Sequence, residues 1–246
     1  DDEIGEGAVG LAGPAATAAA LAGALAAGAP ALVVTSSHGR TGPLDDAAAM
    51  AAALGLPVDA EGEAVSAEAL TAGWSPGGAI WFAQACCSAG STAASAFADL
   101  LAPGTSAHRV VAAVAGLGER VAPLPEALLG ASRPLRAFVG HVEPTFDWTL
   151  RDPENGQPLT ASLVEALYPE LYRRLPIGLA LQRYRSGGSA LHGLHDDARR
   201  DVDAMVPGAA ARAVRLRLTA RDRGSLVILG DPTVRLPPLP SQAGGA

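Results

Sequence analysis

Two short apolar segments constrain this chain more than anything else in it: Ala31-Leu-Val-Val-Thr-Ser-Ser-His38-Gly39 and Ala79-Ile-Trp-Phe-Ala-Gln-Ala-Cys86-Cys87-Ser88-Ala-Gly90. Each has the make-up of a strand buried on both faces. Each stops at a residue able to do proton or nucleophile chemistry, followed at once by small residues. Such strands call for a parallel sheet covered on both faces. In open α/β sheets, reactive groups collect beyond the carboxyl ends of the strands, so a His and a Cys 48 residues apart can lie side by side. The pair reads as a cysteine nucleophile, Cys86, and its base, His38.

The rest of the pattern alternates helix and strand. Helices are expected over 14–27, 45–54, 91–101 and 124–129, with 108–122 as a helix or a strand-helix pair, and a third strand over 135–140 that ends at His141-Val-Glu143. Asp45 and Asp46 are possible helix caps. After a turn at Asn155-Gly156, helices over 160–174, 177–185, 190–205 and 209–221 lead into a last strand over 225–230. This rhythm predicts an α/β fold with a mainly parallel sheet. Residues 1–236 read as one domain and 237–246 as a flexible Pro/Gly-rich tail.

Composition narrows the function classes. A net charge of −7 with no basic run leaves no electrostatic footprint for nucleic acid or an anionic membrane surface. The chain has no Lys, which removes a Schiff-base lysine, a Walker-type phosphate loop and a Ser-Lys dyad. Its two cysteines are adjacent, a spacing that very rarely closes a disulfide, and no second cluster gives zinc-ribbon spacing. A reducing, cytoplasmic setting fits this usage. The Ala-rich stretch 13–29 follows acidic rather than basic residues and is interrupted by Gly23, Gly28 and then Pro30, so it reads as a helix packed on the sheet, not a membrane span. The start at Asp1 suggests a fragment or a processed product of a larger polypeptide.

A thiol that attacks a carbonyl needs conversion to thiolate, a proton donor for the leaving group, and dipoles for the developing oxyanion. Here Cys86 supplies the nucleophile and His38 the acid/base. The backbone N–H groups of Gly39 and Cys86 are the expected oxyanion hole, and the helix expected after Cys86 would lower the thiol pKa through its N-terminus. The alternative is that Cys86 and Cys87 are small core residues and His38 a loop histidine. Alternation along a strand puts the two cysteines on opposite faces. His141, at the end of the third strand, competes with His38 as the base, but only His38 is followed by glycine. Asp45 and Asp46 could orient His38 as well as cap a helix.

An apolar strand ending His-Gly followed by one ending Ala-Cys resembles the caspase-like cysteine peptidases, a group that includes caspases, gingipains, separases and bacterial CHAT domains. Gln84-Ala85-Cys86 matches the start of the caspase Gln-Ala-Cys signature, and the interval from His38 is close to that family's spacing of about 50. Cys87-Ser88 departs from that signature. Ala85-Cys-Cys-Ser-Ala-Gly90 and the closing Ile228-Leu-Gly-Asp-Pro-Thr-Val-Arg-Leu236 look closer to the bacterial branches.

The resemblance implies a three-layer α/β/α fold, favours Cys86 over Cys87 as nucleophile, and implies a thiol endopeptidase working through an acyl-enzyme with no cofactor and no metal. It also implies that the strand after the nucleophile lines the pocket for the residue before the scissile bond. Glu143 and Asp147 there would favour a basic side chain, while Gln84 resembles the caspase pocket that takes Asp. Both carboxylates could equally be a helix cap or a surface ion pair. Expected partners are a protein or peptide substrate and additional domains or a regulatory protein. The alternative function is an inactive caspase-like binding module within a larger protein. His192 and His195 have an i, i+3 spacing that could bind a metal, or could simply lie on a solvated helix face.

Overall fold

The computed structural model describes residues 8–146, 150 and 161–238. The chain divides into two compact units, Asp1–Thr145 and Phe146–Ala246.

In the first unit three strands form a wholly parallel sheet: β1 (Leu32–Ser36), β2 (Ile80–Gln84) and β5 (Ala137–His141), with β2 between the other two. β2 and β5 are apolar at nearly every position, and Ile80 to Ala83 and all of β5 are buried, as a strand covered on both faces must be. β1 is less covered, with Val34 exposed. The register pairs Val34 with Phe82 and Phe82 with Val139, and Ser36 with Gln84. Trp81 anchors the sheet: its ring contacts Trp74 and Phe138, and its indole N–H donates to Thr35 Oγ1 at 3.0 Å.

Helices start where side-chain oxygens can take up their free amide groups. Thr17 caps α1 (Ala18–Gly28), Asp46 caps α2 (Ala47–Ala53), Ser66 caps α3 (Ala67–Thr71) and Thr105 caps α4 (Ser106–Gly116). α5 (Pro123–Leu129) begins on a proline, which sacrifices no helical hydrogen bond there. Asp59 also receives the Ala18 amide, and that bond, with others from its own loop, holds its carboxyl below the usual range.

The helix expected over 91–101 does not form. A two-residue strand β3 (Gly90–Ser91) pairs antiparallel with β4 (Arg120–Val121), and turns follow through Leu100. The cause is tertiary: the buried Glu143 carboxylate accepts from Thr92 Oγ1, Ser95 Oγ and the Ala96 amide, which bends this Ala-rich segment around it. Helix propensity differences among Ala, Ser and Thr are too small to resist.

In the second unit α6 (Ala161–Glu165) runs into one π-helical turn, Ala166–Glu170, which contains Pro169. α7 (Ile177–Ala180) precedes α8 (Gln182–Asp203), and α9 (Ala209–Gly224) leads to β6 (Leu226–Gly230). The two helices expected over 177–185 and 190–205 therefore break at Leu181 instead, and α8 continues through Gly187-Gly188. Only Gly187 is closely approached. A β-carbon on Gly187 would stand 2.7 Å from the Arg223 guanidinium of α9, which also lies over the Tyr184 ring. No helix among the described residues is long and apolar enough to cross a membrane.

Candidate active site

The sheet register decides which side chains can meet. Ser36 and Gln84 are paired, and His141 Nε2 lies 3.2 Å from Gln84 Oε1. His38, Cys86 and Glu143 each follow by two residues the last residue of β1, β2 and β5.

The loops after β1 and β2 meet through the backbones of Gly39 and Cys86. A β-carbon on Gly39 would lie 2.0 Å from the Cys86 carbonyl oxygen and 2.8 Å from its nitrogen, so only glycine allows the two loops to touch. The His38 carbonyl receives the Val58 amide and the Ser37 hydroxyl, which fixes the loop while leaving the residue exposed. Among the described residues, neither the Gly39 nor the Cys86 amide donates to a protein acceptor.

Cys86 and Cys87 sit in a tight turn directly after β2, and no helix begins there. The expected helix N-terminus behind the thiol is absent, because the chain is drawn back toward β5 by hydrogen bonds from the Cys87 amide to the Glu143 carbonyl and from the Ala89 amide to the His141 carbonyl. Two other glycines admit this turn. A β-carbon on Gly55 would meet the Cys87 carbonyl at 2.1 Å, and one on Gly140 would meet Ser88 Oγ at 2.6 Å. Ser88 acts as a rung between strands, donating to the Ala83 carbonyl and accepting from the His141 amide.

The two cysteines have opposite surroundings. Cys86 is half-buried. Its sulfur donates to the Thr145 carbonyl at 3.1 Å, accepts from the Thr145 amide at 3.3 Å and lies 3.6 Å from Thr145 Oγ1. Cys87 is fully buried against Leu54 and Val114, in the left-handed conformation (φ 54°). Burial above all, then the neighbouring Cys86 and Glu143, pushes its thiol well above the ordinary value. It is a packing residue.

His141 is fully buried, and burial pushes its imidazole down to about 4. It is therefore neutral at pH 7 and inaccessible to solvent. Glu143 is also buried, with both carboxylate oxygens committed to the 92–96 loop. Gln84 is half-buried and faces His141. Asp46 is the α2 cap, its carboxylate accepting from the Ala49 amide. Asp147 lies outside the described residues. His192 and His195 fall on α8, where His195 Nδ1 lies 3.5 Å from Asp196; among the described residues no three His, Cys, Asp or Glu side chains gather as a metal site.

Sequence reasoning missed the part played by Thr145, Gly55 and Gly140. Gly55 and Gly140 have no local signal, since each matters through a contact distant in the chain. Thr145 could have been suspected only from its position just past the third strand end. Comparison with family models, with curated proteins and with solved structures finds no match to this chain.

Proposed function

We propose that this chain is a caspase-like cysteine endopeptidase with a Cys86–His38 dyad. One observation carries the reading: His38 and Cys86 each follow by two residues the paired ends of adjacent parallel strands, with Gly39 seated on the Cys86 backbone. The Cys86 thiolate adds to the peptide carbonyl, and the Gly39 and Cys86 amides stabilise the oxyanion. The C–N bond then breaks, and the departing amine takes its proton from the His38 imidazolium. Water, deprotonated by His38, hydrolyses the resulting thioester and restores the thiol. Buried Cys87 and neutral His141 take no part. Glu143 serves by fixing the loop beside the nucleophile. The substrate is a protein or peptide, in a reducing, cytoplasmic setting; with Glu143 turned inward, the basic preference expected from it loses its support.

One contact favours a second reading. The Cys86 sulfur is engaged by the Thr145 carbonyl, as expected if the thiol rests unused in an inactive caspase-like binding module. A positional-scanning peptide library, run with the wild-type chain and Cys86→Ala, separates the two. The peptidase reading expects cleavage that disappears in the variant. Equal cleavage by the variant refutes the dyad, and no cleavage by either chain supports the binding module.

A further inference from the structure

No helix N-terminus stands behind Cys86, and the contacts to its sulfur come from Thr145. We infer that Thr145 is a positioning residue for Cys86: its amide and hydroxyl hold the sulfur as thiolate, and its carbonyl holds it as thiol. The inference rests on reading Cys86 as the nucleophile.

The geometry separates the two forms. As a thiol, the sulfur donates its proton to the Thr145 carbonyl at 3.1 Å and accepts from the Thr145 amide at 3.3 Å. Once the proton has left, the sulfur can only accept. The carbonyl contact then becomes repulsive, while the amide bond becomes charge-assisted and strengthens. The hydroxyl, 3.6 Å away, lies within reach of a large sulfur acceptor and can turn its O–H toward it. One residue thus answers to the charge on the sulfur, holding it through one face as thiol and another as thiolate. Thr145 is well placed for this because the preceding residues are anchored: the Glu143 carbonyl takes the Cys87 amide, and the Glu143 carboxylate is fastened to the 92–96 loop. Among the described residues, the other titratable or charged groups on the elements around the sulfur are His38 and Arg40 after β1, Cys87 beside it, and His141 and Glu143 at and beyond the end of β5.

The test is the pH dependence of iodoacetamide alkylation at Cys86, with fragment-ion mass spectrometry separating it from Cys87. Thr145→Val keeps the shape and removes the hydroxyl; its alkylation midpoint should rise by about one pH unit, the effect of one hydrogen bond to a charged acceptor. Thr145→Ser should stay at the wild-type midpoint. Thr145→Ala, which adds no bulk, gives the same reading if the valine variant does not fold. An unshifted Thr145→Val, or a Thr145→Ser shifted equally, overturns the inference. Alkylation needs no substrate. A shifted midpoint in a chain that cleaves no peptide therefore upholds the role of Thr145 while sinking the peptidase reading, and an unshifted midpoint in an active enzyme does the reverse.

Discussion

Lowering the pH should destabilise the first unit through His141, before most carboxylates titrate. Free imidazole in the unfolded chain takes up its proton near 6.5, whereas the fully buried ring does so only at about 4. Between these values the unfolded state binds more protons, so stability rises with pH. The contribution is fully present above pH 6.5 and is lost as the pH falls toward 4. The whole interval corresponds to about 3 kcal/mol, and the step from pH 7.5 to 5.0 removes about 2 kcal/mol of it. With a urea dependence of roughly 1–3 kcal/mol per molar, the midpoint should fall by about 1 M. Fluorescence of buried Trp74 and Trp81 reports on the sheet that holds His141. His141→Gln keeps a donor for Gln84 but has no proton to gain. Its midpoint should be flatter across this range, and the difference between the two proteins isolates the histidine. If wild type and variant lose equal stability between pH 7.5 and 5.0, the argument from burial is wrong.

Gly39→Ala must push the Cys86 carbonyl away by about 1 Å, which should cost roughly 1–3 kcal/mol in thermal unfolding and about 100-fold in peptide turnover. Wild-type turnover in that variant would show that this contact does not set the site. Glu143→Ala leaves the Thr92, Ser95 and Ala96 donors without their acceptor and should cost about 3 kcal/mol, whereas Glu143→Gln keeps an acceptor and should cost about 1 kcal/mol. Chemical unfolding, with amide exchange at Ala96, measures both; a fully stable Glu143→Ala chain would show that the carboxylate does not hold the loop.

The sheet was legible because its information is local. Leu32 to Ser36, Ile80 to Gln84 and Ala137 to His141 are apolar runs bounded by turn residues, and Asp46 announces α2 as a cap. The approach of the two strand ends, seen in Gly39 against the Cys86 backbone, followed from the strand pattern alone. What could not be read depends on contacts distant in sequence. Residues 91–101 look helical until the Glu143 carboxylate claims their donors, and the same bonds turn an expected pocket acid into an internal anchor. Gly187-Gly188 looks like a helix break, yet α8, packed along α9, continues through both. Cys87 carries no sequence mark of its left-handed turn, and nothing local ties Thr145 to a sulfur 59 positions earlier.

A strand that alternates polar and apolar residues chooses its alignment by hiding one face, because a one-residue slip exposes the wrong set. β2 has lost that means of choice: Ile80, Trp81, Phe82 and Ala83 are all buried, so a slip would trade one hidden face for another. Its alignment must be selected by point contacts: the Trp81 indole on Thr35, Ser88 between Ala83 and His141, and Gly39 and Gly140 against the turn. Apolar exchanges of similar volume within β2 are then tolerable, while single changes at Gly39, Ser88 or Gly140 threaten the pairing itself. The positions that aim Cys86 are also the ones that tell the sheet which neighbours to keep.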